Sequence, residues 1–247
     1  MNENKSQKDI YILGISCFYH DSAAALIKNG EVIAAAQEER FTRKKQDEGF
    51  PINAINYCLK FAEIDVNDLH SVVYYEKSFT KFERLIYSYI KTWPIGFKSF
   101  LKAMSIWLKQ KLWIPSIIKK ELKYNGDIFY VEHHLSHAAS AYYASPFKQA
   151  AILTIDGVGE WATTTCATAN KNKIQITKEI HFPHSLGLLY STFTYYLGFK
   201  VNSGEYKVMG LAPYGKPKYV DKVRQLIDIK EDGSFKLNMK YFAYHYG

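Results

Sequence analysis

Short runs of mostly apolar residues at Ile10–Ser16, Ala23–Lys28 and Glu31–Gln37, bounded by turn residues, predict three strands. A polar turn, Phe18–Ser22, separates the first two, and Asn29-Gly30 has the composition of a two-residue hairpin turn between the last two. From Pro51 to Ala62 the period lengthens, with Ile52, Ile55, Leu59 and Ala62 on one helical face, and Ser71–Tyr75 then reads as a strand. Farther on, a strand is predicted at Asp127–Val131 and a helix from about His133 to Ala144. The pattern then recurs, with strands at Ala151–Ile155, Trp161–Ala169 and Lys173–Phe182 and a helix at Ser185–Leu197. Strand, polar loop, strand, tight turn, strand and helix thus occur twice, an α/β design of two related subdomains, 1–149 and 150–247. If the first takes about 140 residues, the second is expected to run past Gly247, so the sequence reads as part of a longer polypeptide.

Between the two passes lies a stretch of different character. Lys77–Lys123 carries 11 basic and 2 acidic residues, and so accounts for the whole formal charge of +8, the rest being nearly neutral. Phe82, Leu85, Ile86, Tyr89, Ile90 and Trp93 precede Pro94; Phe97, Phe100, Leu101, Met104 and Leu108 follow Gly96. That spacing predicts two amphipathic helices with a break between them, Lys91, Lys98, Lys102 and Lys109 lying on or near the polar faces. A solvated helical insertion fits this pattern, as does a surface attracting anionic lipid or another polyanion. Ile180–Phe199 lacks charged residues, but His181, Pro183, His184, Ser185, Gly187, Ser191, Thr192, Thr194 and Gly198 make it unfit for a membrane span. A buried helix after a loop is expected there.

Composition narrows the class further. With 47% apolar and 16% aromatic residues, the chain is neither a coiled coil nor low-complexity. Three cysteines, Cys17, Cys58 and Cys166, write neither a disulfide framework nor a zinc ribbon, and burial suits Cys17 better than nucleophilic work. The polar start of the chain has no signal-peptide character, so a cytoplasmic location is expected, with membrane-surface association left open by the basic helices.

Several positions are suited to chemistry. Asp156-Gly157-Val158-Gly159-Glu160 is an acidic glycine turn of the kind whose backbone can approach phosphate, its carboxylates then acting through metal, water or ribose; it also suits a plain hairpin turn. His133 and His137, four residues apart on a predicted helix, can reach one metal ion if a third ligand comes from elsewhere. The pair equally suits capping or core histidines, and the intervening His134 leaves the assignment ambiguous. His20, beside Asp21 in the first polar turn, is placed to take a proton from an attacking group, or simply faces solvent from an Asx-type turn. Arg40, Arg43, Lys44 and Lys45 follow Glu38-Glu39 and can meet a phosphate or carbamoyl oxygen, or form a surface charge cluster. Gly204–Gly215 has the mixture of a site-lining loop.

The ordered set Ile12–Ser16 with His20–Ala25, Glu38–Arg43, Phe50-Pro51, His133-His134-Leu135-Ser136-His137-Ala138, Asp156–Glu160 and Gly204–Gly215 resembles the N-terminal domain of NodU/CmcH-type carbamoyltransferases, over nearly the whole of Ile10–Lys216. The resemblance implies an actin/sugar-kinase-like (ribonuclease H-like) fold of duplicated subdomains, the second incomplete here. It implies that carbamoyl phosphate and ATP form carbamoyl adenylate in a YrdC-like C-terminal domain, and that the carbamoyl group passes to a hydroxyl of a small-molecule acceptor such as a sugar or antibiotic. It casts His20 as general base, His133 and His137 as ligands of Fe(2+) or another divalent metal, and Lys45 with Asp156, Gly157, Val158 and Gly159 as contacts to the adenylate. The third metal ligand is expected as an aspartate in the distal half of the fold, so this stretch alone is not expected to complete catalysis. A homodimer is compatible with the resemblance, and neither membrane nor nucleic acid is required. Gln46 departs from the histidine often found after the lysine, and Lys77–Lys123 matches no family motif. A tRNA threonylcarbamoyl-transferase, with His-x-Glu-Gly-His, fits less well because Leu135-Ser136 stands in place of Glu-Gly. A non-catalytic membrane- or polyanion-binding module built on the basic helices is the alternative of a different class.

Overall fold

A computed structural model describes residues 8–246 as mixed α/β, divided into two compact units. One runs to Ser78 and includes Met104–Val131; the other comprises Phe79–Ala103 and the chain from Glu132 onward.

In the first unit, β1 (Tyr11–Ser16), β2 (Ala23–Lys28) and β3 (Glu31–Gln37) form an antiparallel meander. Asn29 and Gly30 both adopt positive φ, 53° and 92°, as the tight turn requires. After the single turn α1 (Glu39–Thr42) and helix α2 (Ile52–Phe61), β4 (Leu69–Tyr74) returns parallel to β1 and β5 (Asp127–Tyr130) parallel to β4, giving the order β3-β2-β1-β4-β5. Leu13, Ile15 and Leu26 from the meander, Ile55 and Cys58 from α2, and Val72 and Tyr74 from β4 make the core.

The basic stretch forms α3 (Ser78–Thr92), α4 (Phe97–Lys109) and α5 (Ile114–Leu122), and it is not uniform. Ile114, Ile118 and Leu122, four residues apart, are buried in the core of the first unit, so α5 belongs to the crossover between two parallel strands. On α3 and α4, Lys91, Lys98, Lys102 and Lys109 are exposed, as the sequence suggested. No helix among the described residues is long and apolar enough to cross a membrane.

The second unit contains a second antiparallel sheet, β6 (Gln149–Ile155), β7 (Ala162–Asn170) and β8 (Lys173–His181) in that order, preceded by α6 (His133–Tyr142) and followed by α7 (Leu186–Tyr196). Helix α7 is capped by Ser185, whose hydroxyl accepts the Leu188 N–H at 3.0 Å. It is not the buried helix expected: Thr194 is buried but Tyr195 and Tyr196 are 76% and 82% exposed, because charge-free composition does not by itself bury a face. Gly204–Gly215 is not a loop either. It forms α8 (Glu205–Leu211) and a 3-10 turn through Pro213, since the Glu205–Met209 run has good helix formers and Gly204 precedes it. Short α9 (Val220–Arg224) and the hairpin β9 (Ile227–Ile229) and β10 (Phe235–Leu237) complete the chain.

Candidate functional site

Helix α6 has no side-chain cap from Glu132, the residue that precedes it. Its first N–H is satisfied from 27 residues away: both oxygens of the buried Glu160 carboxylate lie 3.1–3.2 Å from the His133 amide. A carboxylate there also answers the positive end of the helix dipole. The chain reaches this position through Gly159, where an added Cβ would sit 3.1 Å from His133 Cβ and 3.0 Å from His134 Cδ2.

The three histidines then separate by role. His134 is 2% exposed, with Nε2 2.9 Å from the Ala162 carbonyl and Nδ1 2.6 Å from Thr154 Oγ1. The carbonyl can only accept, so Nε2 carries the proton and Nδ1 accepts from Thr154, which in turn accepts from Thr165 Oγ1 at 2.7 Å. Burial depresses the pKa of His134, in keeping with a neutral ring. It pins α6 to β6 and β7 and resolves the ambiguity in the sequence: His134 is structural.

His133 and His137 point the other way. His133 Nε2 lies 2.6 Å from Asp156 Oδ2, and His137 Nε2 lies 3.2 Å from His133 Nε2 and 3.7 Å from the same carboxylate oxygen. One potential ligand atom from each residue falls within 4.8 Å of the others. Burial pushes the Asp156 carboxyl up, but the hydrogen bond to His133 and the nearby His137 imidazole outweigh it and hold the group well below the ordinary carboxylate range. The nearby Asp156 carboxylate raises the pKa of His137 despite burial.

The Asp156 loop is itself clamped. Asp156 donates its backbone N–H to Thr163 and Gly159 to Ala162, both at 2.9 Å, closing the β6–β7 hairpin. The Ser185 hydroxyl donates to the Gly157 carbonyl at 2.7 Å, with the Asp156 carbonyl at 3.1 Å. Gly187 lets α7 approach so closely that a Cβ would lie 2.5 Å from the Asp156 carbonyl oxygen and 2.6 Å from Gly157 N. The Gly157 N–H also bonds the Asp156 carboxylate. Two of the glycine N–H groups expected to face phosphate are therefore used within the loop.

His20 and Lys45 belong to the first unit. His20 Nδ1 lies 2.9 Å from Asp21 Oδ2, in a turn where Phe18 and Asp21 take positive φ. Backbone bonds Phe18–Glu48 and Ser22–Asp47, each 2.8 Å, dock this turn on the Arg43–Gly49 loop that carries Lys45. Asp47 braces the loop by accepting from Thr42 Oγ1 at 2.9 Å and the Gly49 N–H at 3.0 Å.

Preceding the basic cluster, Glu38 is itself 2% exposed, with Oε2 accepting the Ala54 N–H at 2.9 Å and Oε1 the Asn53 side-chain amide at 2.6 Å, a role the sequence did not suggest. It caps α2, which Pro51 cannot do. Glu205 is likewise occupied structurally. Its carboxylate accepts from Ser191 Oγ at 3.0 Å and the Asn202 N–H at 3.1 Å, whereas Lys207 lies exposed over the Tyr206 ring. Cys17 is buried, and burial pushes its thiol up to about 12, which excludes a thiolate nucleophile at neutral pH.

Comparison with known proteins adds a family. The model of the carbamoyltransferase N-terminus matches residues 11–247. The uncharacterized protein sll1178 of Synechocystis sp. is 56% identical over 246 residues, covering 96% of this chain but 40% of that protein. The nodulation protein NolNO of Sinorhizobium fredii is 37% identical over 227 residues, covering 89% of this chain and 32% of its own length. The chain thus spans 32–40% of the length of these relatives. Among solved structures, YeaZ from Pseudomonas aeruginosa aligns over 69% of the chain and 65% of its own, with 12% identity and a TM-score of 0.38.

Proposed function

The chain belongs to the carbamoyltransferase N-terminal family, and on that premise we propose that it supplies the acceptor half of an O-carbamoyltransferase, passing a carbamoyl group from carbamoyl adenylate to a hydroxyl of a sugar, antibiotic or related metabolite. The convergence of His133, His137 and Asp156 carries the proposal. Two imidazole nitrogens and one carboxylate oxygen, on two elements locked together before any ligand arrives, form a donor set suited to Fe(2+) or a similar divalent ion. Asp156 is assigned here to that set, where the resemblance alone made it an adenylate contact and looked for the carboxylate farther along the chain. Bound there, the ion would supply Lewis acidity toward a carbonyl or phosphoryl oxygen.

The chain's own residues do the rest. With Nδ1–H held by Asp21, His20 presents Nε2 to accept the proton of the acceptor hydroxyl. Lys45 and the Val158 segment are proposed as contacts to the adenylate. The antiparallel three-strand openings β1–β3 and β6–β8 support a duplicated actin-like organisation, with α3 and α4 as the added element. ATP and carbamoyl phosphate are the proposed co-substrates, and a YrdC-like domain of the same polypeptide their site of activation.

The test is carbamoyl phosphate-dependent conversion of ATP to AMP by the intact polypeptide with divalent metal and a hydroxyl acceptor, alongside Co(II) binding followed by absorbance. His133→Ala and Asp156→Ala are expected to lower Co(II) affinity at least 10–100-fold and to abolish carbamoyl ester formation. A wild-type protein that forms no carbamoyl ester, or variants that bind Co(II) as wild type does, would overturn the reading.

A further inference from the structure

The joint between α3 and α4 has a surface that the transferase reading does not use. Ile90, Trp93, Ile95, Phe97 and Leu101 are between 45% and 71% exposed, and Pro94 is exposed among them. They form one apolar tip, with Trp93 and Phe97 packed edge to face at 5.3 Å. The tip is held in place. Tyr87 stacks edgewise on Trp161 at 5.5 Å, Tyr89 on Phe100 at 5.3 Å, and Gly96 (φ 86°) lies against the backbone carbonyl of Tyr246, where no side chain would fit.

Its charge surroundings are one-sided. Lys91, Lys98 and Lys102 are exposed around the tip, and no acidic residue occurs between Glu83 and Glu121. Long lysine stems beside an exposed indole let ammonium groups stay at headgroup level while the rings enter the acyl boundary. A polynucleotide would use the same lysines but leave Ile90, Ile95 and Leu101 without apolar cover.

We propose that the α3–α4 tip is a monotopic docking surface for an anionic phospholipid bilayer, with Trp93, Ile95 and Phe97 entering the interface and Lys91, Lys98 and Lys102 pairing with lipid phosphates. The argument rests on the tip alone and stands whether or not the carbamoyl reading does. Both apolar and ionic parts are needed, because neither three lysines nor a handful of apolar side chains holds a protein on a membrane by itself.

The test is co-sedimentation of the chain, and of the intact polypeptide, with phosphatidylcholine vesicles with and without phosphatidylglycerol. Binding is expected only with phosphatidylglycerol. The triple variant Lys91→Gln, Lys98→Gln, Lys102→Gln is expected to lower the partition coefficient about 100-fold, one lysine being worth roughly 1 kcal/mol near such a surface. Trp93→Ser with Ile95→Ser is expected to lower it at least about tenfold. All five positions are exposed, so unchanged urea midpoints serve as the folding control. Four results would overturn the proposal: no sedimentation; binding that the variants leave unchanged; release by a polynucleotide that binds more tightly than vesicles do; or binding by the chain that the intact polypeptide lacks, which would mean that other protein covers the tip.

Discussion

Replacing Glu38 tests how the first unit holds its loops. The carboxylate has no exposed surface to fall back on and serves three donors: the Asn53 amide side chain at 2.6 Å, the Asn53 N–H at 3.3 Å and the Ala54 N–H at 2.9 Å. Its own backbone N–H donates to the Ser22 carbonyl at 2.8 Å, so the same residue joins the His20 turn to the start of α2. Glu38→Gln can keep one oxygen on Asn53 but turns an NH2 group toward the Ala54 N–H. One charge-assisted bond is then lost, at about 1.5–3 kcal/mol, with a helix-dipole contribution of about 0.3–1 kcal/mol. A destabilisation of about 2–4 kcal/mol follows. For urea slopes of about 2–3 kcal/mol/M, the midpoint of the transition involving this unit falls by roughly 1 M. Far-UV circular dichroism in urea measures it, with exposed Glu31→Gln as the neutral control. A Glu38→Gln midpoint within about 0.3 M of wild type would refute the capping argument.

Glycines around the Asp156 loop divide sharply. Gly187→Ala would thrust a methyl into the Asp156 backbone and is expected to cost about 1–3 kcal/mol, with weaker Co(II) binding, whereas Gly157→Ala meets only Leu188 Cδ2 at 3.7 Å and leaves both nearly unchanged. Urea melts and Co(II) titrations of the pair check this. Thr154→Val leaves the buried His134 Nδ1 without its donor, so a loss of about 1–3 kcal/mol is expected by the same melts. His184 gives a pH dependence. Burial, with Lys236 nearby, holds its pKa below the ordinary 6.5, and its Nδ1 accepts the Leu237 N–H at 3.1 Å. The unfolded chain therefore takes up the proton first: this contribution is complete above about pH 6.5 and declines as pH falls through 6.5 toward the folded value. His184→Asn, which offers a non-titrating acceptor, is expected to flatten that decline between pH 7.5 and about 5.5.

What the sequence showed, and what it hid, follows the range of the interactions. The strands of the two larger sheets were legible because short apolar runs bounded by turn residues are a local signal, and Asn29-Gly30 announced its hairpin through the positive φ values it tolerates cheaply. His133 and His137 were legible as a pair because four residues make about one helical turn. Their carboxylate was not. Asp156 lies 23 residues from His133, and nothing in its sequence neighbourhood separates a carboxylate aimed at α6 from one closing a hairpin. The capping role of Glu38 was not legible because its partners, Asn53 and Ala54, arrive only when α2 packs. The helical state of Gly204–Gly215 was obscured by three glycines that lie at or near its ends or, in the case of Gly210, open to space.

The arrangement around α6 explains why so few residues hold a charged cluster in order. A helix end with an unfilled cap and a loop with a partly buried carboxylate would each be unfavourable alone. Here one hairpin answers both needs: Glu160 completes the helix end, Asp156 is held by the two imidazoles that the helix projects, and Gly159 allows the approach that both require. His134, facing the opposite way, fixes the rotation of the helix through Thr154 and Thr165, so the helix cannot turn His133 and His137 away from the carboxylate without breaking a buried chain of hydrogen bonds. On the far side Ser185 and Gly187 seat α7 against the same loop. The geometry of the three candidate ligands is thus set by neighbours that touch no ligand, and the cost of organising them is met in folding rather than in binding.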